Sequence, residues 1–286
     1  MNSFKTFRTF SNPAGNEQSV KRNCPICGNA IPGFLWEVSG ARFHRCRGCG
    51  HLYQYPVPLQ EELIDRYGDQ YLDYEIENEQ PFFELMQKAL SDVSFLSQAR
   101  SRGFLNGRLL DIGCATGVLI EHYSRAGWKA EGIEVCLPSA RYGMEKRNVP
   151  IKTVTFEEAG YPGGSFDVIH ASHLIEHLAD PRAFMSEAHR VLTEHGLLVL
   201  TTPNAAGAQA RLLGKRWRSV IPDHIHLFSR KNLTRLLKAN GFRPVAARTW
   251  GGVARGLLPD ALKNPLDRLA KKYGAGDVMV ILSERV

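Results

Sequence analysis

From residue 106 onward, short apolar runs alternate with longer amphipathic stretches. Leu109-Leu110-Asp111-Ile112 is one such run. It ends in the glycine-flanked turn Gly113-Cys114-Ala115-Thr116-Gly117 and passes directly into Val118-Leu119-Ile120-Glu121-His122-Tyr123, whose apolar residues recur at helical spacing. That order predicts strand, tight loop and helix start, the opening of a βαβ unit. Residues 128–135 predict a second strand with Glu134 near its C-terminal end, and 139–147 the helix after it. Residues 149–154, 166–171 and 196–204 predict the third, fourth and fifth strands, the last with its exit loop. Between the fourth and fifth, Asp180-Pro181 supplies an N-cap acid and a proline at the first helical position, and Phe184, Ala188, Val191 and Leu192 then share one face. Residues 229–240 keep a helical period and stop at Gly241, while 242–250 and 277–284 are the last two strand candidates. Strands alternating with helices in this way predict an α/β fold around a parallel sheet.

Before residue 106 the pattern changes. Residues 1–20, rich in Ser, Asn, Thr and Gly, predict a mobile tail. Residues 21–58 hold three short strand candidates, 34–38, 43–45 and 52–55, and Pro56 and Pro58 mark the boundary. Residues 59–105 are expected to be a helical linker or lid, with helical pattern at 61–67 and again at Phe82, Phe83, Leu85, Met86, Leu90 and Phe95. Tyr67, Tyr71 and Tyr74 lie between, either covering a ligand or packing between helices. The α/β domain fills 106–286, and no internal repeat is evident.

Composition narrows the function classes only a little. With 286 residues, 43% hydrophobic and 23% charged, the chain is an ordinary globular protein with length enough for a large core. A net charge of +7 would suit an acidic substrate, nucleic acid or a membrane surface, although scattered solvated Lys and Arg account for it as well. The start lacks the apolar core of a signal peptide and no run is long enough to span a bilayer, so a cytoplasmic location is expected.

The cysteines say more. Cys24, Cys27, Cys46 and Cys49 form C-x2-C-x18-C-x2-C, the spacing of a structural zinc ribbon. Four thiolates complete a tetrahedron and leave no position for a catalytic water. A redox C-x-x-C would come singly, and spacing does not distinguish zinc from iron. His44 and His51 flank the knuckles as alternative ligands; Cys114 and Cys136 are expected to be small buried fillers. A glycine after the second Cys of each pair, Gly28 and Gly50, permits the tight knuckle turn.

The first βα turn is G-x-x-x-G, not the G-x-G-x-x-G that receives a dinucleotide pyrophosphate, which points to a cofactor without phosphate and away from NAD. The segment Asp111–Gly117, the acid Glu134 closing the second strand, Ser165-Phe166-Asp167-Val168-Ile169 and the run from Leu174 to Pro181 together resemble the class I S-adenosylmethionine-dependent methyltransferases. The resemblance implies a Rossmann-like seven-strand sheet with its last strand antiparallel, here preceded by the small ribbon. It implies S-adenosylmethionine as cofactor, with Asp111, Gly113, Cys114 and Gly117 beside its methionine part and Glu134 on the ribose. Thr155 and Phe156 occupy the position that contacts adenine in the family, where an acid is frequent, and His170 is counted with the same set.

Ligands in such sheets bind outside the C-terminal ends of the strands. The loop after the fourth strand brings His173, Glu176 and His177 there, and the insert after the fifth brings Asp223-His224-Ile225-His226. A hydroxyl or carbon acid must lose a proton as it is methylated, so His224 and His226, which alternation places on one side, and His173 are the candidate bases. The spacing of His173 and His177 would set both on one helical face, a pattern that can bind metal; in the family this stretch helps hold the fold, which favours a structural His177. The run from Arg211 to Arg218 either grips the phosphates of an anionic or nucleotide-linked acceptor or is a solvated amphipathic helix with Trp217 against the core. The expected activity is O- or C-methylation of a small, oxygen-rich acceptor such as a sugar, natural-product or envelope precursor. The alternatives are a ribosomal RNA methyltransferase whose ribbon binds RNA, and a non-catalytic cofactor-binding module that recruits a partner. The first of these would be expected to carry an N-P-P-Y-like tetrapeptide where this chain has His170-Ala171-Ser172-His173. The sequence does not specify an oligomeric state.

Overall fold

The computed structural model describes residues 23–30, 32–58, 69–251, 265 and 270–286. The tail expected at 1–20 and the helical segment expected at 61–67, with Tyr67, lie outside the described residues. The N-terminal part contains β1 (Pro32–Val38), β2 (Ala41–Cys46) and β3 (Leu52–Gln54), followed by helices α1 (Asp69–Asp92) and α2 (Phe95–Ser101). Then come β4 (Arg108–Ile112), α3 (Val118–Arg125), β5 (Lys129–Ile133), α4 (Leu137–Tyr142), β6 (Ile151–Lys152), β7 (Phe166–Ser172), α5 (Pro181–Val191) and β8 (Leu192–Pro203). The chain continues through α6 (Ala208–Leu213), β9 (His226–Leu227), α7 (Arg230–Ala239), β10 (Phe242–Trp250) and β11 (Val278–Arg285).

Seven strands form one sheet in the order β10-β11-β8-β7-β4-β5-β6. β4 pairs in parallel with β5 and β7, and β7 with β8; β11 runs antiparallel to both β8 and β10, as the resemblance implied. The strands are apolar on both faces because each face is covered by helices. Leu110, Ile169, Leu198, Leu200 and Ile281 point to the layer that contains Phe184, Ala188, Val191, Leu233, Leu236 and Leu237. Their neighbours Leu109, Val168, Leu197, Val199 and Val280 point to the opposite layer, with Phe95, Leu119, Ile120 and Tyr123. The period of two along each strand thus divides a single apolar run between two cores.

Local signals place most helix ends. Asp180 accepts the backbone N–H groups of Arg182 and Ala183, with Pro181 in the first turn of α5, and Ser229 caps α7 through Asn232 N–H. Two expected boundaries move. The third strand shrinks to Ile151–Lys152, because this edge strand pairs with β5 through only Gly132 and Ile133. The helix expected over 139–147 starts at Leu137, with Pro138 in its first turn, and gives way to a π-helical turn, Gly143–Arg147.

The N-terminal strands build a second sheet, β1-β2-β3-β9, whose fourth strand comes from far along the chain: Leu52 pairs with Leu227 and Tyr53 with His226. Cys24, Ile26, Cys46 and Tyr53 join the same apolar cluster as α5 and α7, so the ribbon is packed onto the main domain. Among the described residues no helix is long and apolar enough to cross a membrane.

At the end of the strands opposite the β4–α3 turn, Glu284 accepts Arg102 Nη2 (2.7 Å), Arg243 Nη2 (2.8 Å) and His195 Nδ1 (2.8 Å). Burial alone would raise its carboxyl, but these three donors outweigh it and hold it at about 2. A carboxylate depressed in the folded state stabilises above its unfolded pKa and loses that contribution as pH falls through the folded value. Glu284→Gln is therefore expected to lower stability at pH 7 by about 1–2 kcal/mol, discounted for the solvent around Arg243. The gap from wild type should close as pH falls from about 5 towards 2; equal melting temperatures at pH 7 would refute the clamp.

Candidate active site

The cofactor half is built where β4 turns into α3. Gly117 opens the helix at φ +74°, and a Cβ there would lie 2.8 Å from Val149 Cγ2, so the turn admits only glycine without rearrangement. The N–H groups of Gly113 and Cys114 donate to Ile133 O, tying the loop to the end of β5 (2.8 and 3.2 Å). One residue beyond that strand, Glu134 accepts Ala115 N–H at Oε2 (2.9 Å) and Cys136 N–H at Oε1 (2.8 Å). Burial raises its carboxyl pKa against the pull of those two donors. Beneath the loop, Asp111 Oδ1 lies 2.7 Å from His170 Nδ1 across the β4–β7 pair, and both side chains are buried. His170 Nε2 is buried with no hydrogen-bond partner among the described residues.

Helix α1 lies across this loop. Glu79 accepts Thr116 Oγ1 at one carboxylate oxygen and Arg147 Nη2 at the other, both at 2.5 Å, and Arg147 also reaches Glu121 (2.6 Å). One turn earlier, Glu75 is half-buried and its carboxyl is pushed up to about 7, by burial first, against the Tyr71 hydroxyl, and further by the carboxylates of Glu134 and Glu79. Tyr71, Glu75 and Glu79 repeat every four residues and so share one helix face, a period that the sequence carried and that aromatic clustering alone concealed.

The electrostatics of this half suit a cationic cofactor without phosphate. Asp111, Glu134, Glu75 and Glu79 surround the turn, while Ala115 N–H is spent on Glu134 and Gly117 N–H on Cys114 O. An anion-binding helix start needs such groups free. A sulfonium and an α-ammonium group fit the carboxylates, and the residues present therefore match S-adenosylmethionine.

The remaining positions in the cofactor set have other surroundings. The Cys114 side chain packs toward Gly132 and Ile120, and burial, with Asp111 and Glu134 nearby, raises its thiol far out of the reactive range. Phe156 is buried against Phe184, ring centroids 5.5 Å apart, and Thr155 closes its own turn by donating to Glu158 Oε2 (2.7 Å).

The candidate acceptor half begins where β7 ends. His173 sits at φ +53°, an uncommon conformation for a non-glycine residue, with its N–H on Thr201 O (2.8 Å). Its Nδ1 lies 3.1 Å from Glu176 Oε1, and its side chain is 45% exposed, which leaves Nε2 for a ligand. Glu176 is buried and accepts Thr202 Oγ1 at its other oxygen (2.9 Å). Burial would raise its carboxyl, but the hydrogen bond from His173 and the neighbouring His177 and His224 bring it down to about 2. An ionised carboxylate on Nδ1 selects the tautomer whose Nε2 can take a proton.

His177 Nδ1 donates to Asp223 O (2.9 Å) and His224 Nδ1 to Ser219 O (2.8 Å), their rings edge to face at 4.7 Å. Glu176, His177 and His224 present ligand atoms within 4.8 Å of one another and could hold a cation. Two sequence expectations are corrected here. His173 and His177 do not share a helical face, since only Ile175–His177 forms a short 3-10 turn. Strand alternation does not relate His224 to His226 either, because the strand starts only at His226 and His224 belongs to the preceding turn; the His224 ring engages Ser219 O and His177, the His226 ring His51. Burial, with His177 beside it, drives the His224 imidazole down to about 4. His226 is buried beside His51 (Nδ1 to Nε2, 3.1 Å), Tyr53 and Phe228.

The basic segment folds as α6 and a 3-10 turn, with Trp217 buried; Trp217 Nε1 (2.5 Å) and Arg218 Nε (2.6 Å) both donate to Asp277. In the ribbon, the four cysteine Sγ atoms lie within 4.8 Å of one another, and Gly28 and Gly50 turn at φ +74° behind each knuckle. Burial pushes the Cys24 and Cys49 thiols up, so holding all four as thiolates takes a cation. His44 and His51 are not part of this cluster; their rings engage Arg42 O and His226.

Comparison with known proteins agrees with this geometry. The family model described as a methyltransferase domain matches residues 82–247. A ubiquinone biosynthesis O-methyltransferase of Cereibacter sphaeroides is 31% identical over 150 residues, 48% of this chain and 61% of that protein. Its counterpart in Ruegeria pomeroyi is 32% identical over 159 residues, 50% of this chain and 63% of that one. The chain thus spans less than two thirds of the length of these relatives. A solved S-adenosylmethionine-dependent methyltransferase of Thermotoga maritima shares the fold, with a TM-score of 0.53 at 21% identity over 76% of this chain and 99% of the other. A sheet of this order, an acid-lined G-x-x-x-G turn and a family match over more than half of the length place the chain in the class I S-adenosylmethionine-dependent methyltransferases.

Proposed function

We propose that the protein methylates a hydroxyl oxygen of a small, oxygen-rich acceptor, with His173 as general base and Glu176 as the group that orients it. The observation that carries this is the His173–Glu176 pair at the end of β7, with the outer edge of the ring accessible beside the acid-lined cofactor half. Bound S-adenosylmethionine supplies an electrophilic methyl on its sulfonium. Glu134 would accept the ribose hydroxyls, Asp111 and the 113–117 turn would line the methionine part, and Glu75 and Glu79 on α1 would cover it. His173 Nε2 would take the proton of the acceptor hydroxyl, so that its oxygen could displace the neutral thioether from the methyl carbon, and the buried Glu176 carboxylate would stabilise the resulting imidazolium. Aligning the two reactants in line contributes the rest of the rate enhancement.

Acidity narrows the acceptor. A phenolic hydroxyl, with a pKa near ~10, gives up its proton to an imidazole far more readily than an alkyl alcohol does. Among sugar, natural-product and envelope precursors, acceptors with such an acidified hydroxyl fit best, and the name O-methyltransferase borne by the relatives agrees. In the same proposal the four ribbon thiols hold one structural zinc, which metal analysis of the purified chain would detect. It includes the division into ribbon (21–58), linker or lid (59–105) and catalytic domain (106–286), and a cytoplasmic setting. The test is a panel of phenols, sugars and RNA incubated with methyl-labelled cofactor. Label should appear in a phenolic product; label confined to RNA, or cofactor binding with no transfer to anything, would overturn the proposal.

A further inference from the structure

Between them, the ribbon and the segment from Trp217 to Phe228 share more than a surface. Strand β9 is the fourth strand of the ribbon sheet, and Gln54, at the end of β3, closes the join. Its backbone N–H donates to Ile225 O (2.8 Å), while its buried side-chain amide donates to Pro222 O (2.7 Å) and His224 O (3.0 Å), so both amide hydrogens are committed to this turn. Val57 packs with Ile225 and Ala179, and on the far side of the Glu176–His177 turn the Arg182 side chain donates to Pro25 O in the first knuckle. The ribbon therefore grips the acceptor half at two places, the turn at Pro222–Ile225 and the start of α5. The first of these places carries the His224 ring, set edge to face on His177 and close to the carboxylate that orients His173.

We propose that the ribbon is the back plate of the acceptor half of the active site, and that Gln54 is the positioning residue that seats His224 against Glu176 and His177. The turn 221–224 has no strand pairing of its own; His224 N–H bonds back to Ile221 O and Asp223 O accepts His177, while the ribbon's Gln54 meets the carbonyls of Pro222 and His224. Losing the amide takes its donor from the buried His224 carbonyl, and the turn must move to replace it. A shift of about 1 Å at a supporting group can cost about 100-fold in rate. The cofactor half, built on β4, β5 and α1, takes no hydrogen bond from Gln54.

This inference rests on the acceptor half being where the proposed transfer occurs, and its test separates the two. Full-length, metal-loaded Gln54→Met keeps side-chain length and burial but loses both donors; Gln54→Asn keeps the amide but falls one methylene short. Histidine-ring NMR reads the His224 Nδ1–H signal, calorimetry the affinity for S-adenosylmethionine, and a phenol panel the turnover. The His224 signal should shift or broaden in both variants. The cofactor Kd should stay within about twofold, and turnover should fall by about 100-fold in Gln54→Met. An unmoved His224 signal in either folded variant overturns the proposal, as does a cofactor affinity that falls in step with turnover. If the wild-type protein methylates no phenol, the functional proposal fails, and the NMR comparison still decides the role of Gln54.

Discussion

Replacing His173 with alanine is expected to lower turnover by about 100-fold to 10,000-fold while the affinity for S-adenosylmethionine stays the same. That range is what a positioned proton acceptor contributes. The split follows from the geometry: His173 lies in the loop after β7 with nearly half of its side chain exposed, whereas the cofactor contacts assigned here lie on β4, β5 and α1. Alanine at φ +53° inherits the backbone strain without adding to it, so gross folding should survive. Glu176 would lose its imidazole partner and keep only Thr202. Its carboxyl, held at about 2 against burial by that partner first and by His177 and His224 after it, should then rise, which gives the variant a second signature besides the rate. Added imidazole should restore part of the turnover if the missing group is a base. A variant as active as wild type would remove His173 from the reaction and return attention to His224.

The second large effect is on binding. Glu134→Ala is expected to weaken S-adenosylmethionine binding by about 100-fold or more, as measured by calorimetry. Two backbone donors, Ala115 N–H and Cys136 N–H, converge on this buried carboxylate, and alanine leaves both unmet at the place where the turn must keep its shape. A hydrogen bond to a charged group is worth about 1.5–3 kcal/mol, and each ~1.4 kcal/mol is tenfold in affinity. Loss of the turn geometry and of the proposed ribose acceptor together is therefore expected to exceed two decades. Glu134→Gln should fall between, since an amide still accepts at its oxygen but presents an N–H₂ to the second donor. A Kd within twofold of wild type in the alanine variant would show that the cofactor is held elsewhere.

What the chain revealed before its structure, and what it concealed, divides along physical lines. The β4 turn, the acid after β5, the Asp180-Pro181 cap and the double-faced apolar strands are local patterns, each spelled out within about ten residues. The four cysteines were legible because metal geometry imposes spacing. The third strand was overestimated because a β-branched run at a sheet edge carries the same signal whether two residues or six find a partner. The helical spacing of His173 and His177, and the strand alternation of His224 and His226, misled for a shared reason. Both stretches are turns whose backbone is satisfied by side chains and strands distant in sequence, where neither period applies. The fourth ribbon strand, two residues long and about 170 positions from its partner, is a contact made by the tertiary fold, whereas the Glu176–His173 pairing is three residues apart but lies in a turn that no regular period describes. Glu75 and Glu79 were within reach, because Tyr71, Glu75 and Glu79 form a four-residue period. Their role became visible only when α1 was seen to cross the Thr116 turn.

In the proposed reaction this cleft strips a proton from a hydroxyl and delivers a methyl group to the oxygen left behind. The most direct measurement uses S-adenosylmethionine carrying a carbon-13 methyl, the wild-type protein and a small phenol, with the product examined by NMR. A labelled methyl carbon bonded to oxygen is the predicted result, whereas a methyl bonded to ring carbon, or no labelled product at all, would contradict it.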